Sequence, residues 1–195
     1  ADRVFFLYGT DGSLEWDYFF NGPGFAVMAI DDVNGDGVPE ALAGASNSDE
    51  SQGKTVVVDG STGFEIWTET AGGTSVWALV QLDDINSDGV RDVASGEFGN
   101  GQYKVYDATN GDELFGGSVG GGFVIITDLI RLDDVNADGY ADFTIQSSTS
   151  NCVVVDGHEG ETIWFTGLAD QAQKVDRIED ISGDAINDVV VGTLF

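Results

Sequence analysis

A nine-residue acidic stretch, Asp84-Ile85-Asn86-Ser87-Asp88-Gly89-Val90-Arg91-Asp92, constrains this chain more than any other feature. Oxygen-bearing side chains stand at its first, third, fifth and ninth positions, with glycine at the sixth. In a tight loop alternate residues point at one centre, the seventh carbonyl can fill a gap, and glycine permits the sharp turn. That spacing suits a hard cation such as calcium. Asp32, Asn34, Asp36, Val38 and Glu40 repeat the pattern, as do Asp134, Asn136, Asp138, Tyr140 and Asp142. Asp180, Ser182, Asp184, Ile186 and Asp188 keep most of it.

The loops begin 52, 50 and 46 residues apart, a period that points to an array or a propeller. A second unit alternates with them. Apolar runs such as Val4 to Tyr8, Val56 to Val58 and Val153 to Val155 lead into glycine-containing turns and return strands. An aromatic residue stands four positions after each turn glycine: Trp16, Trp67, Phe115 and Trp164. Their recurrence predicts packing between repeats rather than ligand stacking. Each acidic loop is flanked by a lead-in strand and a following strand, for example Val76 to Leu82 and Val90 to Gly96. No amphipathic helical period is visible, so the class is all-β.

One repeat therefore supplies four strands, the content of one propeller blade. The expected architecture is a β-propeller of four four-stranded blades, at about 25–71, 72–119, 120–168, and 172–195 together with 1–20. The terminal strands, Val175 to Phe195 and Val4 to Phe20, would share the last blade and hide their edges. The alternative is half of an eight-bladed ring completed by a second chain, which makes the chain a monomer or a homodimer.

The loop spacing resembles that of FG-GAP and VCBS-type calcium-binding propeller repeats, the group that includes the integrin α-subunit head. The hairpin with its aromatic is similar to the tryptophan-docking repeat of quinoprotein-like propellers. The resemblance implies that side chains one, three, five and nine of each loop, with the seventh carbonyl, hold calcium. It implies three strong sites and a weaker fourth, where Ala185 replaces glycine and Ser182 replaces asparagine. An alanine in a left-handed conformation costs about 1–2 kcal/mol. An EF-hand is excluded, since its twelfth-position glutamate is here Ala43, Ser95, Ile145 or Val191.

Composition narrows the function. With 35 acidic residues against 7 basic ones, the net charge is −28, which argues against nucleic acid and anionic membranes. Four calcium ions would leave about −20, still strongly acidic. No apolar run is long enough to span a membrane. No signal peptide is visible, which suggests a mature form, an excised piece or an intracellular protein. The lone Cys152 rules out an internal disulfide and reads as a buried thiol. His158, the single histidine, falls in a hairpin turn. With one histidine, one cysteine and no nucleophile elbow, an enzyme is not expected.

The reading is a calcium-stabilised extracellular binding or adhesion module for a protein or a glycan. A purely structural domain or half-ring of a larger secreted protein is one alternative, and a carbohydrate-active lyase or hydrolase is another. Specificity would sit in the irregular segments Asp17 to Gly24, Ser46 to Gln52, Glu97 to Asn100 and Ser147 to Asn151.

Overall fold

The computed structural model describes residues 2–194, and every element in it is a strand. β1 (Arg3–Leu7) and β2 (Leu14–Phe19) form a two-stranded antiparallel sheet. Three four-stranded sheets follow in sequence order. The first is β3 (Gly24–Ile30), β4 (Glu40–Ser46), β5 (Gly53–Val58) and β6 (Glu65–Thr70). The second is β7 (Ser75–Gln81), β8 (Val93–Phe98), β9 (Gln102–Tyr106) and β10 (Glu113–Ser118). The third is β11 (Ile126–Arg131), β12 (Phe143–Ser147), β13 (Asn151–Val155) and β14 (Thr162–Gly167). A second two-stranded sheet, β15 (Gln171–Ile178) and β16 (Asp188–Leu194), ends the series.

Each four-stranded sheet is an antiparallel meander, as a propeller blade requires. The first strands β3, β7, β11 and β15 pack successively beside one another and mark the inner side. β4, β5, β8, β9, β12 and β13 are almost wholly buried, because a sheet covers each of their faces. Their Val-, Ala- and Ile-rich runs supply three apolar layers. One joins β1–β2 to the first blade through Phe20, Ala43 and Val56. The next two lie between consecutive blades, around Leu42, Trp67 and Tyr106, and around Leu82, Ile126 and Phe143.

The expected closure is corrected in one respect. β1–β2 and β15–β16 are separate sheets, so the terminal strands do not share a blade and the ring is open. Four blades would need a quarter turn at each step, which would splay the outer strands. Here an outer-strand aromatic is clamped against the next blade's hairpin turn at every complete step, and this couples neighbouring sheets at their outer edges. The open arc agrees with the alternative of half a larger propeller.

The strands after the loops start later than the sequence suggests, at Val93 rather than Val90 for β8. The loop itself runs to its ninth residue, with Leu82 N–H donating to the Asp92 carbonyl and Asp92 N–H to the Asp83 carbonyl. In a meander the one–two and three–four connections lie at one end. The acidic loops and the hairpin turns therefore share one face of the arc. The two–three turns and the links between blades lie on the other.

Candidate functional site

The four acidic loops adopt one conformation. The first carboxylate accepts the sixth-position N–H at 2.7–2.9 Å, as Asp32–Gly37, Asp84–Gly89, Asp134–Gly139 and Asp180–Ala185. The fifth accepts the seventh-position N–H at 2.8–3.0 Å, from Val38, Val90, Tyr140 and Ile186. The ninth accepts the second-position N–H at 2.7–3.1 Å, as Glu40–Val33, Asp92–Ile85, Asp142–Val135 and Asp188–Ile181. Asn34, Asn86 and Asn136 accept the fifth-position N–H with their side-chain oxygens. Ser182 instead turns its hydroxyl onto Asp180.

The sixth position has positive φ in every loop: 89° at Gly37, 96° at Gly89, 101° at Gly139 and 72° at Ala185. The fourth loop thus pays the strain its sequence foretold. We predict that Ala185→Gly stabilises this loop by about 1 kcal/mol, read as slower amide exchange at residues 180–188. Faster exchange would contradict the assignment.

Burial separates the loops. Glu40, Asp92 and Asp142 are buried, whereas Asp188 is half exposed because no hairpin lies over it. Desolvation, with Asp32, Asp36 and Asp59 adding negative charge nearby, pushes Glu40 up to about 7. Burial likewise raises Asp92 to about 6 and moves Asp142 upward. The exposed Asp180 moves down, held by the N–H groups of Gly183 and Ala185.

In the first loop, oxygens of Asp32, Asp36 and Glu40 lie within 4.8 Å of one another. Glu40 Oε1 is buried without a hydrogen-bond partner. Such an all-oxygen set with one orphaned buried acceptor fits a hard divalent cation. Among the described residues, no other loop brings three carboxylates that close. There the ninth residue is the shorter aspartate, and its second oxygen is drawn aside: Asp92 Oδ1 accepts Ala108 N–H at 3.3 Å and Asp142 Oδ1 accepts Gly157 N–H at 3.0 Å.

Those contacts reveal residues that sequence reasoning missed. Asp59, Asp107 and Asp156 head the hairpin turns beside the loops. Ser61 Oγ bonds both Asp36 and Asp59, and Asn136 Nδ2 donates to Asp156 at 2.7 Å. The acid preceding each loop is a second set. Asp31 takes both Arg91 Nε and Nη2 at 2.6 and 2.7 Å, Asp83 takes Arg131, and Asp133 takes Arg177. Asp83 and Asp133 also accept the N–H of Ala141 and Asn187. Each clamp joins the acid before one loop to an arginine of the next sheet's loop or lead-in strand. The Asp-Asp doublets at 31–32, 83–84 and 133–134 were the available signal.

All seven basic side chains have a partner, the remaining three carboxylate pairs being Arg3–Asp17, Lys104–Glu113 and Lys174–Asp128, with Lys54 on the Phe20 carbonyl. His158 is exposed, as its turn position suggests, and stacks on Tyr140 with centroids 4.2 Å apart. Cys152 is buried beside Gln146, and burial pushes its thiol up.

The opposite face carries aromatics. Phe25 and Trp77 occupy β-bulges of their inner strands, where the register slips and re-aims a side chain outward. Phe25 stacks on Trp77 at 5.4 Å, Trp77 packs against Phe98 at 4.7 Å, and Phe123 meets Phe98 edge-on at 5.3 Å. The row crosses three blades, and its last ring, Phe123, is 71% exposed. Of the four irregular segments, Glu97 to Asn100 contributes Phe98. In Asp17 to Gly24, Phe20 is buried in the first layer, whereas Phe19 is exposed under Arg3.

No protein-family model matches the sequence, and no curated protein matches it. Solved structures do match, and they are propellers. Sqt1 of Saccharomyces cerevisiae superposes with a TM-score of 0.75 at 9% identity over 98% of this chain and 50% of that one. BBS1N, solved in complex with ARL6DN, gives 0.67 at 10% identity over 98% and 55%. BamB from Moraxella catarrhalis gives 0.63 at 15% identity over 96% and 52%. At such identities the likeness shows the β-propeller fold. The chain spans about half the length of each.

Proposed function

We propose that this chain is a calcium-stabilised extracellular binding module whose partner is a protein or a glycan. One observation carries the reading: an oxygen-rich loop built four times, its first, fifth and ninth carboxylates accepting the same backbone N–H groups each time. In the first three loops, Asp32, Asn34, Asp36 and Glu40 and their counterparts would hold the ion with the carbonyls of Val38, Val90 and Tyr140. Calcium would supply the positive charge that buried carboxylates need, fastening the loop to its neighbouring hairpin. The ions would act as staples, since the loop is repeated symmetrically and no switch element accompanies it.

Recognition would fall on the opposite face, on Phe25, Trp77, Phe98 and Phe123. Exposed contiguous aromatics mark interaction sites more often than isolated ones do. That BBS1N, a propeller of similar fold, has been solved in complex with ARL6DN supports a protein partner. The net charge of −28 favours a neutral or basic one. The test is retention on arrays of immobilised proteins and neutral, basic and acidic glycans. Retention reduced at least tenfold by Trp77→Ala, with melting unchanged, supports the reading. Absence of retention on every array leaves the structural-domain reading in its place.

A further inference from the structure

We infer that the two ends of the arc are complementary halves of one interface, through which a second copy of the chain docks. One contact is made three times inside the chain. Trp16 Nε1 donates to the Gly60 carbonyl at 2.8 Å, and its ring lies against Gly63, where a Cβ would stand 2.8 Å away. Trp67 Nε1 donates to the Ala108 carbonyl at 2.7 Å, and its ring covers Gly111. Phe115 covers Gly160 in the same way. Each outer-strand aromatic thus seats the next blade's hairpin turn.

Two partners in this series are unmatched. Trp164, the fourth aromatic, is 36% exposed, against 6% for Trp67. Beside it, lined by Leu132, Trp164, Ile186 and Asp188, is a cleft of about 300 Å³ where a turn would sit. At the other end the turn at Gly12 has the same left-handed backbone as Gly63, Gly111 and Gly160, yet nothing lies within 4 Å of its Cβ position. The knob and the socket are both present, at opposite ends.

The strands agree. β15–β16 are the loop-bearing half of a blade, and β1–β2 are the hairpin half. In the complete blades the residue following the loop faces the last residue before the turn: Ala41–Val58, Val93–Tyr106 and Phe143–Val155. The same register sets Val189 of one copy opposite Leu7 of the other. Both sheets leave apolar side chains open, Leu7 at 55% and Val190 at 51% exposure. An apolar cavity of about 470 Å³ between β1–β2 and β3–β4, lined by Val4, Phe6, Trp16 and Met28, is where the partner's loop-bearing half would pack. Among the described residues, β1–β2 and β15–β16 do not pair with each other. Two copies, each with three blades and two halves, close an eight-bladed ring, within the usual range of blade numbers.

Light scattering on a sizing column tests this. The chain should elute at twice its 20.6 kDa mass, and Trp164→Ala and Leu7→Arg should each weaken association at least tenfold. The double variant Leu7→Cys/Val189→Cys should form a covalent dimer on mild oxidation, since directly opposed strand residues lie within disulfide reach. Each single cysteine variant should not, and the buried Cys152 should not react. A monomer at every concentration, an open ladder of oligomers, or association indifferent to both substitutions would overturn the proposal.

Discussion

Trp67→Ala is expected to destabilise the fold by about 3–5 kcal/mol, the usual range for truncating a buried large aromatic. The side chain is almost fully buried, sits against Tyr106 with ring centroids 5.8 Å apart, and covers Gly111. Its Nε1–H donates to the Ala108 carbonyl, so truncation leaves a cavity between two blades and a buried acceptor without its donor. Trp164→Ala removes the same side chain at the equivalent position, where one side lies open. In the dilute monomer it should cost about 1 kcal/mol or less, as exposed substitutions do. Urea midpoints for the two variants check the contrast. Equal losses would show that inter-blade docking does not hold the arc together.

Chelation should have the second large effect. Without a cation, the first loop keeps three carboxylates close together, and Glu40, Asp92 and Asp142 are held out of water. Three sites at 100 times their dissociation constant contribute about 8 kcal/mol by mass action. For a chain of this size that lowers the melting temperature by about 15–30 °C when the ions are withdrawn. The pH dependence of the stripped protein has a definite sign. Glu40 and Asp92 have folded values raised to about 7 and about 6, above their unfolded ones. Their contribution is therefore present below about pH 4 and is lost as pH rises through 6 and 7. The chelated protein should melt higher at pH 5 than at pH 7.5. Calcium, by competing for the same oxygens, should abolish or reverse that difference.

The loops and hairpins were legible because they are local. Asp32 to Glu40 and its repeats contain their own turn, oxygen-bearing side chains and hydrogen-bond partners within nine residues. The docking aromatics were legible as packing residues through their recurrence, although nothing local names the glycine that each one meets. Contacts between blades were not legible. Arg91 finds Asp31 across 60 residues, and Arg131 finds Asp83 across 48, so neither charge announces its partner. The aromatic face depends on β-bulges at Phe25 and Trp77, which a period-two reading of the strands cannot anticipate. Ring closure failed as an expectation for a related reason. A count of strands gives the number of blades, whereas whether β1–β2 and β15–β16 meet depends on contacts between blades, which no local pattern encodes.

If the acidic loops are cation sites that hold the propeller together, they bind calcium saturably and with a defined stoichiometry. Titrating calcium calorimetrically into chelator-stripped protein tests this most directly. Three ions should bind saturably, with a weaker fourth event that Ala185→Gly strengthens and a stoichiometry reduced by one in Asp84→Asn/Asp88→Asn. No saturable binding, or a stoichiometry unchanged by that double substitution, would contradict it.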